Sequence, residues 1–231
     1  MDWVAREDVT AMESAAAEFI ALRLTRAAEE RGRATLAISG GSTPWGMFER
    51  LASQAAPWTD VHLFQVDERI VPREHDARNW KRFLENPLSL RIRRDNCHPM
   101  PVDVEDAELA AAVYSATLTG YSGEPPVLDV VHLGIGEDGH TASLFSDDAL
   151  LQERQRWVGV SRRYRDHRRL TLTLPTLNQA RSVVWLVVGA GRRAVLARLR
   201  DGDLSIPAGR VQRDRAVVFT DLDAAPATER S

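Results

Sequence analysis

The chain has 231 residues, 44% of them hydrophobic and 27% charged, and a formal net charge of -3. That length buries one large core or at most two small ones, and the charge gives no global pull toward nucleic acid or an anionic membrane, so an anionic substrate needs a local basic pocket. The single cysteine, Cys97, excludes an intramolecular disulfide and a CxxC metal site.

The first stretch, MDWVAREDVTAMES, is acidic and lacks an apolar core, so it does not read as a signal peptide. No apolar run approaches the ~20 residues that span a bilayer, and a cytoplasmic protein is expected. Lys81 is the one lysine, so the other Lys/Arg positions are all arginine. A Schiff-base mechanism would have to use Lys81, a Walker-type loop has no lysine to use, and any phosphate clamp must be arginine plus backbone.

Residues 8–31 predict an amphipathic helix ending near Gly32. An apolar strand over 34–38 leads into SGGSTP and a helix from Pro44 to about Ala55, with Pro44 in its first position and Ser42 or Thr43 as N-cap. VHLFQV, residues 61–66, predicts a second strand that runs into Asp67, Glu68 and Arg69. The polar segment PREHDARNW precedes a helix near 80–85, and another helix is predicted over 105–119. The most continuous apolar strand, VLDVVHLGI at 127–135, opens into GEDGHTASLF. Shorter strands are predicted at 157–160, 169–174, 183–188 and 216–219, with a helix at 191–200 separating the last two.

This alternation implies an α/β fold: a single domain over 1–231 with a mostly parallel, twisted, Rossmann-like sheet covered by helices on both faces. Three strands end in polar, glycine-containing or acidic loops. Parallel neighbours bring such loops to one edge of the sheet, where ligands bind.

Gly40, Gly41, Ser42 and Thr43 lie between a strand end and a helix start. They read as a cradle of backbone N–H groups for an anion, or as a tight turn that needs glycine for its backbone angles. Gly134-Ile135-Gly136-Glu137-Asp138-Gly139 matches the dinucleotide fingerprint literally. Glu137 and Asp138 would place negative charge where a pyrophosphate approaches, so a nicotinamide site is rejected. The stretch instead centres on His140: Gly136 and its neighbouring glycines let the backbone approach a ligand, and Asp138 is close enough to orient the imidazole. A neutral imidazole can take a proton from water.

At the end of the second strand, Arg69 suits an anionic or carbonyl oxygen, and Asp67 suits sugar hydroxyls or proton handling. The bland alternative is a local ion pair. Asn79 fits an amide contact to the ligand or a helix cap equally well. Arg169 and Arg192 each could reach a phosphate at the same edge. His62 and His132 lie within apolar strands and read as structural, and Ser42 lacks the GxSxG elbow of a nucleophile.

Together SGGSTP, DERIVP with Asn79, GIGEDGHTASLF and RLTLTLPTLNQA resemble the 6-phosphogluconolactonase family, in order, from about residue 8 to residue 223. That family is a branch of the sugar-phosphate isomerase and deaminase superfamily with a parallel-sheet α/β fold. The resemblance implies hydrolysis of 6-phosphoglucono-1,5-lactone, with His140 as the base, the SGGST loop and basic residues on the phosphate and ring oxygens, and no metal or organic cofactor. The implied partner is a small sugar phosphate, with no nucleic acid and no membrane, and the chain is expected to be a monomer or small homo-oligomer. Ser146 stands where the family usually has proline, and Arg192 where it usually has lysine. Two rivals remain. A glucosamine-6-phosphate deaminase would follow DGH with an alanine-phenylalanine-asparagine-glutamate segment, and here TASLFS carries no acid until Asp147. A non-catalytic sugar-phosphate binding module would have no need of the histidine.

Overall fold

The computed structural model describes residues 1–227. In chain order the strands are β1 (Asp2–Arg6), β2 (Ala34–Ile38), β3 (Val61–Gln65), β4 (Asp67–Arg69), β5 (Cys97–His98), β6 (Val130–Leu133), β7 (Val158–Val160), β8 (Arg169–Leu172), β9 (Val183–Val187) and β10 (Ala216–Asp221). The α-helices are α1 (Val9–Arg31), α2 (Trp45–Ala52), α3 (Asn79–Leu84), α4 (Ala107–Ser122), α5 (Leu174–Gln179) and α6 (Arg193–Arg200).

Seven strands form one parallel sheet in the order β1-β10-β9-β6-β2-β3-β5. Successive side chains on a strand point to opposite faces, and the core divides accordingly. Leu36, Leu63, Val130, Val184 and Phe219 pack on one face with Met12, Ile20 and Leu24 of α1, Phe48 of α2 and Phe83 of α3. Ala37, Phe64, Val131, Trp185 and Val218 pack on the other with Tyr114 and Leu118 of α4, Leu177 of α5 and Leu196 and Leu199 of α6. The expected parallel sheet with helices on both faces is therefore what forms. Helix α1 matches its predicted span. The Asp8 side chain accepts the Ala11 N–H at 2.7 Å, and Gly32 closes the helix at φ 71°.

The structure departs from the sequence reading in three places. β1 adds an edge strand where no strand was predicted, and β5 is a further short edge. The strands expected at 157–160 and 169–174 leave the main sheet. They pair as an antiparallel hairpin and join β4 in a three-stranded sheet of order β4-β8-β7. The latter strand stops at Leu172, because Pro175 sits in the first turn of α5. Finally, DER is not a loop. Val66 hands the chain from one sheet to the other: its N–H goes to Ile38 O in the main sheet at 2.9 Å, and its C=O accepts the Leu172 N–H at 2.8 Å. Asp67, Glu68 and Arg69 are thereby paired strand residues directly above the carboxyl edge of the main sheet.

Candidate active site

From β2 the chain winds outward to β3 and β5, then returns to β6 on the opposite side of β2 and winds outward again. The winding direction reverses between β2 and β6, which is where open α/β sheets hold ligands. The loops after these two strands open onto a cleft of about 730 Å³. Gly40, Gly41, Ser42, Thr43, Asp67, Arg69, Asn79, Gly136, His140, Arg169 and Arg192 all line it. Asp138 stands immediately behind His140.

The loop after β6 is folded tightly by its own backbone. Gly136 N–H donates to His140 O at 2.9 Å, Gly139 N–H donates to Gly136 O at 2.9 Å, and the Thr141 hydroxyl donates to Gly134 O at 2.8 Å. A Cβ at Gly136 would lie 2.2 Å from His140 Nδ1, so the approach of the imidazole requires glycine there. His140 Nδ1 is 2.5 Å from Asp138 Oδ1, and Asp138 Oδ2 accepts the Tyr164 hydroxyl at 3.2 Å. Partial burial alone would raise the Asp138 carboxyl. The hydrogen bonds and charge of His140, with the Tyr164 hydroxyl, outweigh that and hold it below the usual aspartate value. An ionised Asp138 keeps a proton on Nδ1 of a neutral His140, leaving the lone pair on Nε2. The imidazole is half-sheltered by the rings of Phe145 and Tyr164, at centroid distances of 5.2 and 5.4 Å.

The SGGSTP loop does not cap α2 as expected. The helix begins at Trp45, and Pro44 occupies the cap position, with no side-chain cap hydrogen bond among the described residues. The Ser42 and Thr43 hydroxyls and the N–H groups of residues 40–43 donate to no group among the described residues, which leaves them available to a ligand. Asn79 is not a cap either. Its Nδ2 donates to Asp67 O at 3.1 Å, and its side chain packs so close to Gly40 that a Cβ there would meet Oδ1 at 2.1 Å.

The two carboxylates of DER divide their labour because successive residues on β4 face opposite ways. Asp67 lines the cleft, accepting the Ser143 hydroxyl at 2.6 Å, while Arg169 approaches the same hydroxyl at 3.4 Å. Glu68 is fully buried. It accepts the N–H groups of Asn79 (2.9 Å) and Trp80 (2.8 Å) at the start of α3, and faces Arg78 Nε at 3.4 Å. Arg69 and Arg169 sit directly opposite one another in the β4–β8 register, and the Nε of each is buried without a partner among the described residues. Burial pulls the Arg169 guanidinium below its ordinary value; Asp67 opposes this and Arg69 adds to it. Arg192 pairs with Glu137 across the mouth. His132 forms part of the wall beneath the β2 loop. Its Nδ1 takes the Ser39 N–H at 3.4 Å, and burial drops it to about 3, so it is neutral.

Arg78, Arg82 and Arg165 join Arg69, Arg169 and Arg192 in lining the cleft, against only Asp67, Asp76 and Glu137. The local basic pocket required by a chain of net charge -3 is present. Sequence reasoning missed Glu68, Ser143 and Tyr164. Glu68 stood within a quoted motif, and a strand assignment for DER would have separated its role from that of Asp67. Nothing in SRRYRDHRR marked Tyr164 for the site.

The family model described as glucosamine-6-phosphate isomerases/6-phosphogluconolactonase matches residues 7–219. The chain is 40% identical to a 6-phosphogluconolactonase of Synechocystis sp. over 78% of this chain and 77% of that one. It is 36% identical to a 6-phosphogluconolactonase of Nostoc sp. over 97% and 96% of the two chains. The crystal structure of a 6-phosphogluconolactonase from Shewanella baltica superposes with a TM-score of 0.81 at 29% identity, covering 96% of this chain and 97% of that chain. With the cleft at its switch point and motifs in matching order, the chain belongs to the glucosamine-6-phosphate isomerase/6-phosphogluconolactonase family.

Proposed function

We propose that this protein hydrolyses 6-phospho-D-glucono-1,5-lactone to 6-phosphogluconate, the second step of the oxidative pentose phosphate pathway. The observation that carries this reading is the Asp138–His140 pair, with Nε2 free, on the wall of an arginine-lined cleft. The relatives named 6-phosphogluconolactonase support it.

His140 Nε2 takes a proton from a water as the water oxygen bonds to the lactone carbonyl carbon. The carbonyl oxygen becomes an oxyanion, stabilised by the guanidinium and N–H donors of the cleft. The carbon–ring-oxygen bond then breaks, and the ring oxygen takes the proton back from the imidazolium. The product is a carboxylic acid, which ionises, and a free hydroxyl. A lactone is an activated ester, so a positioned water and base suffice without a covalent nucleophile. The phosphate is held by the N–H groups of residues 40–43 with Arg69, Arg169 and Arg192, and the sugar hydroxyls meet Asp67 and Asn79. Because the substrate is a phosphorylated intracellular sugar, we assign the protein to the cytoplasm, acting as a monomer or small homo-oligomer.

The deaminase alternative lacks its further carboxylate. Asp147, the first acid after DGH, is exposed, pairs with Arg162 and does not line the cleft. The test is hydrolysis of freshly made lactone with the uncatalysed rate subtracted, alongside ammonia release from glucosamine 6-phosphate. Saturable lactone opening without ammonia is expected. Ammonia release would move the protein to the deaminases. Binding of 6-phosphogluconate with neither reaction would make it a sugar-phosphate binding module.

A further inference from the structure

The antiparallel hairpin of β7 and β8 carries the segment SRRYRDHR at its tip, and the tip folds over the mouth of the cleft. It closes on itself: Tyr164 N–H donates to His167 O at 3.0 Å, Arg165 takes φ 52° in the turn, and Arg163 reaches Asp166 O at 2.8 Å. The result presents Tyr164 to the catalytic pair. Its ring stacks on Phe145 at 4.0 Å and 13°, and its hydroxyl donates to the Asp138 oxygen that His140 does not use.

We infer that Tyr164 is a positioning residue of the reaction, the third member of a phenol–carboxylate–imidazole chain that sets the basicity and orientation of His140. The inference rests on the reading of His140 as the base. By occupying Oδ2 it fixes the rotation of the carboxylate so that Oδ1 faces Nδ1, and by stabilising the charge on Asp138 it limits how strongly Asp138 retains a proton on the imidazole. The ring that carries the hydroxyl is packed by its neighbours. Phe145 stacks beneath the ring, and the guanidiniums of Arg162, Arg165 and Arg169 lie 5.8, 5.6 and 5.5 Å from its centroid. Other charged or titratable groups around the chain are Asp147, paired with Arg162; Glu137, paired with Arg192; and His167, against His75 at 5.5 Å.

The sign of the effect follows. Removing the phenol hydroxyl leaves a more basic carboxylate, which holds the His140 proton more tightly. The base form then appears at higher pH, and the acidic limb of kcat/KM moves upward. Tyr164→Phe keeps the ring, its stacking and the arginine contacts, and deletes the hydroxyl alone. The expected result is a shift of the acidic limb by a few tenths of a pH unit and a fall in kcat of about threefold to tenfold, the size of one ordinary hydrogen bond, as suits a 3.2 Å contact at a solvent-accessible carboxylate. KM should stay within about twofold, since the hydroxyl is committed to Asp138. In an Asp138→Ala background the same substitution should change nothing further.

A proton NMR titration of the His140 imidazole in wild type and Tyr164→Phe reads the same coupling without turnover, so it stands even if lactone hydrolysis fails. An upward shift of the His140 inflection in the variant supports the inference. Superposable titrations, superposable pH profiles, or a defect that persists unchanged in the Asp138→Ala background would overturn it and make Tyr164 a packing residue. The expected NMR shift in Tyr164→Phe, together with a wild-type protein that opens no lactone, would instead count against the proposed function.

Discussion

In the proposed mechanism His140 acts through the nitrogen that Asp138 leaves free, and this division of the ring sets its chemistry. The side chain is 24% exposed, enough to meet a water and substrate while Phe145 and Tyr164 limit its motion. His140→Ala should lower kcat by about 10²- to 10⁴-fold, the usual weight of general-base catalysis. The affinity for 6-phosphogluconate should change little, because the donors of the cleft remain. Steady-state kinetics together with calorimetric titration of the product check both halves; unchanged turnover would remove His140 from the mechanism. Gly136 belongs to the same argument, since any side chain there would collide with the imidazole.

At the scale of elements, β4 and α3 are coupled through Glu68. This strand residue anchors the first turn of the helix, where uncommitted N–H groups favour a negative charge, and it faces the buried guanidinium of Arg78. Arg78 in turn reaches Asp103 at 2.9 Å and the Val71 carbonyl at 3.2 Å. The whole polar segment between β4 and α3 is thus tied to one carboxylate, and that segment carries Asn79 and the backbone carbonyl of Ala77 that fixes Arg69. Glu68→Ala takes the buried carboxylate away from the Arg78 Nε and leaves the backbone N–H groups of Arg69, Asn79 and Trp80 and the Gln65 amide without their acceptor. It should cost about 3–5 kcal/mol of stability in denaturant unfolding, as for a broken buried ion pair. Arg69 would lose its support, so KM should rise together with the loss of stability. A variant of wild-type stability would mean that solvent replaces the carboxylate.

Taken as a whole, the molecule carries a net charge of -3 while six arginines line its cleft. The field that attracts substrate is therefore local, and it is built partly by an unfavourable arrangement: Arg69 opposite Arg169, each with an Nε unpartnered among the described residues. Like charges across a strand pair destabilise the empty site and are relieved by a bound dianion. KM for the phosphorylated lactone should rise steadily with added salt between low ionic strength and about 0.5 M, as the Debye length contracts. kcat should move much less, because the proton transfer occurs between adjacent groups. A salt-independent KM would show that neutral contacts dominate binding.

The order of strands and helices, the glycine loops at strand ends and the histidine on the cleft wall were legible in the sequence because each is a local pattern. Apolar runs mark buried strands, glycine marks close approach, and an acid two residues before a histidine can reach its ring. What the sequence left open was decided by contacts between distant segments. Whether DER was a loop or a strand depended on Val66 bridging two sheets, which takes partners at Ile38 and Leu172. Which carboxylate faced the cleft depended on the alternation that this strand imposes. Ser42, Thr43 and Asn79 were read as possible caps from their neighbours alone; Pro44 took the cap position at α2, and Glu68, eleven residues before Asn79, took the role at α3. Tyr164 reaches Asp138 across 26 positions of chain through a hairpin whose register no local pattern announces. Local propensity thus determined the elements and the chemistry on offer, and tertiary pairing determined which groups meet, because buried hydrogen bonds and charges are satisfied by whichever partners the fold brings within reach.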